Sequence, residues 1–289
     1  MADESIQYPS LIVPVGHVEP VPRRIRGTIG GSTVFDTRRA LYVWEWPPYP
    51  QFSIPVEDLA EGVLTDDGHT EERGAGPARR HTLRAGSEVR QGAAWVWADG
   101  APSALLGTVR FEWEALDSWF EEDEPVFVHP RSPYSRVDAL RSSSSVRVEL
   151  DGAVLAEAPG CVKLFETGLP TRYYLDLTHV DRARLRHSDT VTRCPYKGTT
   201  SSYWSFDSAT ATHEDIAWAY DFPTVHVNRI AGLVAFYGER VDLYVDGAKL
   251  PRPSGRAGKR PGDSAAAQDS RPDLRGRWPW SSPRARRPG

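Results

Sequence analysis

The chain repeats itself, and no other feature constrains its fold as strongly. Ile25 to Leu64 aligns without a gap on Val146 to Leu185, with Arg26 on Arg147, Gly31 on Gly152, Glu45 on Glu166 and Leu64 on Leu185. Identities are few, but apolar positions correspond throughout: Ile29 with Leu150, Val43 with Leu164, Trp44 with Phe165, Ile54 with Leu175 and Leu59 with Val180. Further on, Ala94-Trp95-Val96-Trp97 matches Ala217-Trp218-Ala219-Tyr220, and Gly107 to Phe111 matches Gly232 to Phe236. The register drifts slightly between these blocks, as short loop insertions produce. Self-similarity at this period means one domain used twice.

Local patterns within each copy are those of strands and turns. Val146, Val148 and Leu150 alternate with Arg147 and Glu149, and Asp151-Gly152 supplies the φ > 0 residues of a tight hairpin before Ala153 to Ala156 returns. Ile230 to Tyr237 followed by Val241 to Val245 reads as a second hairpin across Gly238-Glu239-Arg240, ending at Asp246-Gly247. One short helix is predicted over Thr178 to Arg186, capped by Thr178. Ser142 to Ser145, four serines with nothing to bury, reads as the linker between copies. The predicted organisation is an arm at 1–19, a first domain at 20–141, the linker at 142–145, a second domain at 146–250 and a tail at 251–289.

Charge separates the tail from the body. The chain has a formal net charge of −4, yet its last 39 residues hold ten Lys or Arg against three Asp, so the preceding 250 are strongly acidic. An acidic body argues against nucleic acid as a partner. The tail, rich in Pro, Gly, Ser and Arg without apolar periodicity, has the composition of a disordered segment. The apolar run Leu11 to Val15 is five residues long and contains Pro14, too short for a signal-peptide core or a membrane span, which reads as a cytoplasmic protein with no membrane partner. Cys161 and Cys194 are the only cysteines, too few for a disulfide scaffold.

Chemistry-bearing residues concentrate in the second copy. Cys194-Pro195-Tyr196-Lys197-Gly198 precedes Tyr203-Trp204 in a chain with only four lysines. A cation beside a thiol favours the thiolate, so Lys197 with Cys194 is the candidate catalytic pair. A plain turn is the competing reading, since Pro195 fixes φ and Gly198 permits φ > 0. Tyr174, Tyr196, Trp204, Trp218 and Tyr220 are candidate ligand-binding residues, because such rings stack planar ligands and hold cations, although core packing explains any one of them alone. Glu166, matched by Glu45, is the carboxylate that could orient polar contacts. Scattered histidines offer no metal set, the acidic run Glu121 to Glu124 reads as a solvated loop with a weak hard-cation site as the alternative, and no cofactor is expected.

Phe165 to Tyr174, Cys194 to Gly198, Tyr203-Trp204, Ala217 to Tyr220 and Ile230 to Tyr237 together resemble the family known as domain of unknown function 427. In the first half Trp113, Asp117-Ser118-Trp119 and Val128 to Asp138 extend that resemblance, which runs from about residue 20 to about residue 250. It implies a mainly β fold: two tandem antiparallel domains similar to the β-tent of methionine sulfoxide reductase B and the cereblon ligand-binding domain, with short helices. Those relatives bind zinc through paired Cys-x-x-Cys motifs that are missing here, so no structural zinc is expected. The family is also labelled nucleotidyltransferase-like. The functional expectation is a small-ligand-binding protein with an aromatic pocket in the second copy; a transferase, a thiol-dependent enzyme and a non-catalytic interaction module are the alternatives. In the first copy Arg73 to Pro77 stands opposite Cys194 to Gly198, so the motif is expected to be lost there. Lys197, expected to be exposed, should be replaceable by Ala at little cost in stability.

Overall fold

A computed structural model describes residues 13–253; the tail expected at 251–289 lies almost wholly outside them. The protein is mainly β, and each half builds the same two sheets. The first large sheet runs β1 (Val18–Pro20), β4 (Leu41–Val43), β5 (Gln51–Pro55), β9 (Thr108–Phe111), β8 (Glu88–Trp97), β7 (Gly76–Ala85), β6 (Leu64–Arg73). Its small sheet runs β11 (Glu124–Val126), β10 (Ser118–Glu121), β2 (Ile25–Ile29), β3 (Ser32–Thr37).

In the second half the large sheet runs β12 (Val137–Ser142), β15 (Cys161–Glu166), β16 (Arg172–Leu175), β22 (Val234–Phe236), β21 (Thr212–Ala219), β20 (Ser202–Asp207), β17 (Leu185–Ser188). The small sheet runs β24 (Ala248–Lys249), β23 (Asp242–Val245), β13 (Val146–Leu150), β14 (Ala153–Ala158). Strand for strand the two orders are the same. Among the described residues the one addition is a two-stranded sheet in the second half, β18 (Arg193–Cys194) with β19 (Gly198–Thr199), between β17 and β20.

Alternation explains how the layers meet. Val146, Val148 and Leu150 are buried while Arg147 is exposed, and each such buried aliphatic contributes roughly 1.5–3 kcal/mol. Asp151 and Gly152 have φ of 49° and 77°, as a type I′ turn demands, and Leu150 pairs with Ala153 across it. The small sheet thereby presents Val146, Val148, Leu150 and Leu155 to Ala217, Ala219, Val234 and Phe236 of the large sheet. The first half has an equivalent inter-sheet core around Ile25, Phe35, Ile54 and Phe111. Each large sheet also has a second, outward face with its own cluster.

Several expectations are corrected. Val137–Ser142 pairs with β15 and belongs to the second large sheet, so the second domain begins before residue 142 and the serines lie inside it, Ser142 ending β12 and the other three leading to β13. Likewise the arm at 1–19 includes the start of β1, which pairs with β4. The predicted helix is two separate 3₁₀ turns, Leu177–His179 and Arg182–Arg184, and the carboxylate accepting from the Thr178 N–H is that of Asp176. Val234–Phe236 and Asp242–Val245 are not hairpin partners, since they lie in different sheets; Asp246-Gly247 instead turns β23 into β24. Glu121 is buried between Arg23 and Arg131 and is no part of a solvated loop. No helix among the described residues is long and apolar enough to cross a membrane.

Candidate functional site

The outward face of the second large sheet gathers Tyr174, Trp218, Tyr220 and Tyr203, all buried, with Ala235 beneath them. Strand pairing dictates the convergence: Tyr174 sits opposite Ala235 on β22, which sits opposite Trp218 on β21, which sits opposite Tyr203 on β20. The Trp218 indole donates to Tyr174 Oη at 3.2 Å. Tyr203 Oη lies 2.8 Å from Thr192 Oγ1.

Hairpin β18–β19 adds the charge. Its turn is fixed to a neighbouring loop, with Thr224 N–H donating to the Lys197 carbonyl at 3.1 Å and Thr224 Oγ1 donating to the Tyr196 carbonyl at 2.6 Å. Lys197 is carried to the end of β15, where Nζ donates to Glu166 Oε2 at 2.5 Å, both side chains being about nine-tenths buried. Burial opposes a charge on Lys197, but the neighbouring Cys194 and Glu166 outweigh it and raise its pKa above the ordinary 10.5. Lys197 is therefore a fixed cation, neither exposed nor free, contrary to expectation. A second ion pair flanks the cluster, Arg172 with Glu239 at 2.5 Å, the guanidinium standing 5.7 Å from the Trp218 ring centroid.

Two candidate residues do not join this group. Trp204 follows Tyr203 on an extended strand and so points to the opposite face, against the inter-sheet core. Tyr196 is committed to the connector between copies: its Oη accepts from the Ser132 N–H at 2.7 Å, and its ring meets His129, which stacks at 3.5 Å on Tyr49 of the first copy. Tyr196 latches the two domains together. Sequence reasoning missed Arg172, Glu239 and Tyr237, whose ring centroid lies 4.3 Å from that of Trp218; the duplication alone gave no signal for them.

The first copy shows which parts are general. Glu45, equivalent to Glu166, also meets cations: Arg73 Nη2 at 3.3 Å and Arg110 Nε at 3.1 Å. Arg73 ends β6 at the hairpin opposite Cys194 to Gly198, so that hairpin still delivers a cation to the duplicated Glu. The motif is lost but its ion pair is not. Side-chain volume is exchanged across the strands, because Ser53 faces Arg110 where Tyr174 faces Ala235. Arg110 fills that face, pairs with Glu112 at 2.8 Å, and joins two guanidinium and two carboxylate groups by ion pairs, in which Glu45 Oε1, Arg73 Nε and Arg110 Nε and Nη1 still lack well-formed hydrogen bonds.

In the second copy the unused hydrogen-bonding capacity at this carboxylate lies on Lys197. One N–H of Lys197 is engaged by Glu166, leaving two. Tyr220 is buried on the same face, and burial raises its hydroxyl pKa above the ordinary 10.0. Among the described residues no group of three or more His, Cys, Asp or Glu could hold a metal ion.

Alkaline pH should reveal this burial. Burial pushes the Tyr42 hydroxyl up from 10.0 to about 12, and raises Tyr174, Tyr203 and Tyr220 in the same direction. A raised folded pKa favours folding fully below the unfolded value and loses that contribution as pH climbs through the folded value. Melting temperature is thus expected to fall above about pH 10, with the tyrosinate absorbance of these four residues appearing only as the protein unfolds. Tyrosinate from these four in the folded protein at ordinary pKa would contradict these placements.

Comparison with curated proteins finds no match. The model of the family described as domain of unknown function (DUF427) matches residues 17–122 and 138–247, one match on each structural copy and most of the described chain. Its second match begins within β12, in agreement with the strand pairing. The chain belongs to the DUF427 family and carries two copies of its domain in tandem.

Proposed function

We propose that the second copy is a small-ligand-binding domain whose site is the outward face of its large sheet, with Tyr174, Trp218 and Tyr220 as walls and Lys197 and Glu166 as the polar anchors. The observation that carries this reading is the buried Lys197–Glu166 pair, with two ammonium N–H groups uncommitted, beside a face lined by Tyr174, Trp218 and Tyr220, where the first copy fills the same face with Arg110. Buried polar groups are ordinarily satisfied, so a group left open in a rigid cluster is a place for a ligand atom. The ligand would be small and polar, accepting from Lys197 and exchanging a hydrogen bond with Tyr220.

Tyr220→Phe tests this, because it removes one hydroxyl and almost no volume. Small molecules released by denaturing purified full-length chain would be identified by mass spectrometry and titrated back calorimetrically. The variant should melt close to wild type and bind the released compound about tenfold more weakly, the value of one lost hydrogen bond to a charged or well-placed group. Unchanged affinity would remove Tyr220 from the site. A thiol-dependent reaction is the second reading, favoured by Cys194 standing close enough to Lys197 to act on its charge. Under that reading Cys194→Ser abolishes turnover and leaves binding intact.

A further inference from the structure

On the opposite face of the same sheet the second copy opens a cleft of about 620 Å³, inside the range of roughly 300–1,000 Å³ that small-molecule sites occupy. Its floor is made of small residues, Ser202 and Ala219, which pair across β20 and β21. Trp204 forms one wall, with the His187 ring edge-on to it at 6.2 Å and 89°. Gly232 also lines the cleft, and a Cβ added there would meet nothing within 4 Å.

The first copy has no such floor. Register places Arg79 where the second copy has Ser202, Val96 where it has Ala219, and Asp66 where it has His187. Arg79 and Asp66 are ion-paired across that position, so the first copy bridges the space that the second leaves open. The cleft is therefore a consequence of residue choice and not of the shared fold.

Two opposite charges line it. Arg182 comes from the 3₁₀ turn before β17 and Asp221 from the loop after β21, and neither forms an ion pair with any described residue. A ligand that matches these walls has a flat ring for the Trp204 side, a carboxylate for Arg182 and an ammonium for Asp221. We propose that this cleft is a second binding site, distinct from the Glu166–Lys197 face, and that it takes a free aromatic amino acid.

Calorimetric titration of the full chain with L-tryptophan, tryptamine and indole-3-propionate tests the proposal. L-tryptophan should bind about tenfold more tightly than either analogue, which each lack one charge. Arg182→Ala should erase the preference over tryptamine, and Asp221→Asn the preference over indole-3-propionate. Ser202→Arg, which imports the first copy's residue, should abolish binding at unchanged melting temperature. Should Ser202→Arg unfold the protein, Arg182→Ala and Asp221→Asn, both at exposed residues, still decide. Equal binding of all three compounds, binding of none, or preferences that survive both charge variants would overturn it. Tyr220→Phe should leave L-tryptophan binding unchanged, so failure here is separable from failure of the site on the other face.

Discussion

Lys197→Ala is expected to destabilise the protein by about 3–5 kcal/mol, because it strands the Glu166 carboxylate in a site about nine-tenths buried. The sequence alone predicts a small cost, since a Lys beside a Gly in a turn is usually solvated; its ion pair with Glu166 reverses that. Removing both charges together behaves differently. Glu166→Leu with Lys197→Met replaces the pair by apolar side chains of similar volume and should recover most of the loss, since such replacements are neutral or stabilising when the geometry is filled. Chemical denaturation of the two single variants and the double variant measures this directly. A Lys197→Ala loss below about 1 kcal/mol would place the pair in solvent.

Gly74→Ala is the second large effect, expected at or above about 3 kcal/mol, the upper end for overpacking. A Cβ at Gly74 would stand 2.1 Å from the Glu45 carbonyl oxygen and 2.8 Å from its Cα, both backbone atoms that no rotamer change can move aside. Gly238→Ala serves as control, with only a Pro253 side-chain atom at 4.0 Å, and should be nearly neutral. Gly74 follows Arg73, so the close approach that forbids a side chain is the one that brings the Arg73 guanidinium to Glu45. Retention of full stability by Gly74→Ala would mean that this hairpin does not rest on the Glu45 backbone.

Repetition made the fold legible. Matched apolar positions gave two copies, and Asp151-Gly152 gave a correct hairpin because turn chemistry is local. Errors arose where partners are distant in sequence. Alternation marks Val234–Phe236 and Asp242–Val245 as strands but is silent on which sheet each joins, and here they part company. The domain boundary was misplaced because four serines look like a linker; extending the repeat backwards from Ile25 to Val18–Pro20 would have shown that each copy starts one strand earlier.

The candidate site was half legible. Glu166, Tyr174, Trp218 and Tyr220 converge, and Lys197 joins them through a contact with a residue 31 positions away that no local pattern encodes. Trp204 could have been set apart from the sequence, since neighbours on a strand face opposite ways. Tyr196 could not, because its partner is the backbone of Ser132 in the connector. The contrast between copies also needed the structure. Arg73 and Arg110 share no motif with Lys197, yet they meet the same carboxylate position.

On the proposed reading, the second copy places its ligand site on a buried ion pair whose counterpart in the first copy holds the fold. Mass spectrometry of compounds released from the Glu166→Leu, Lys197→Met double variant, set beside its melting curve, tests it most directly. The expected result is a melting temperature within a few degrees of wild type and loss of the compound that wild type carries. The same compound at the same occupancy in a variant of unchanged stability would contradict it.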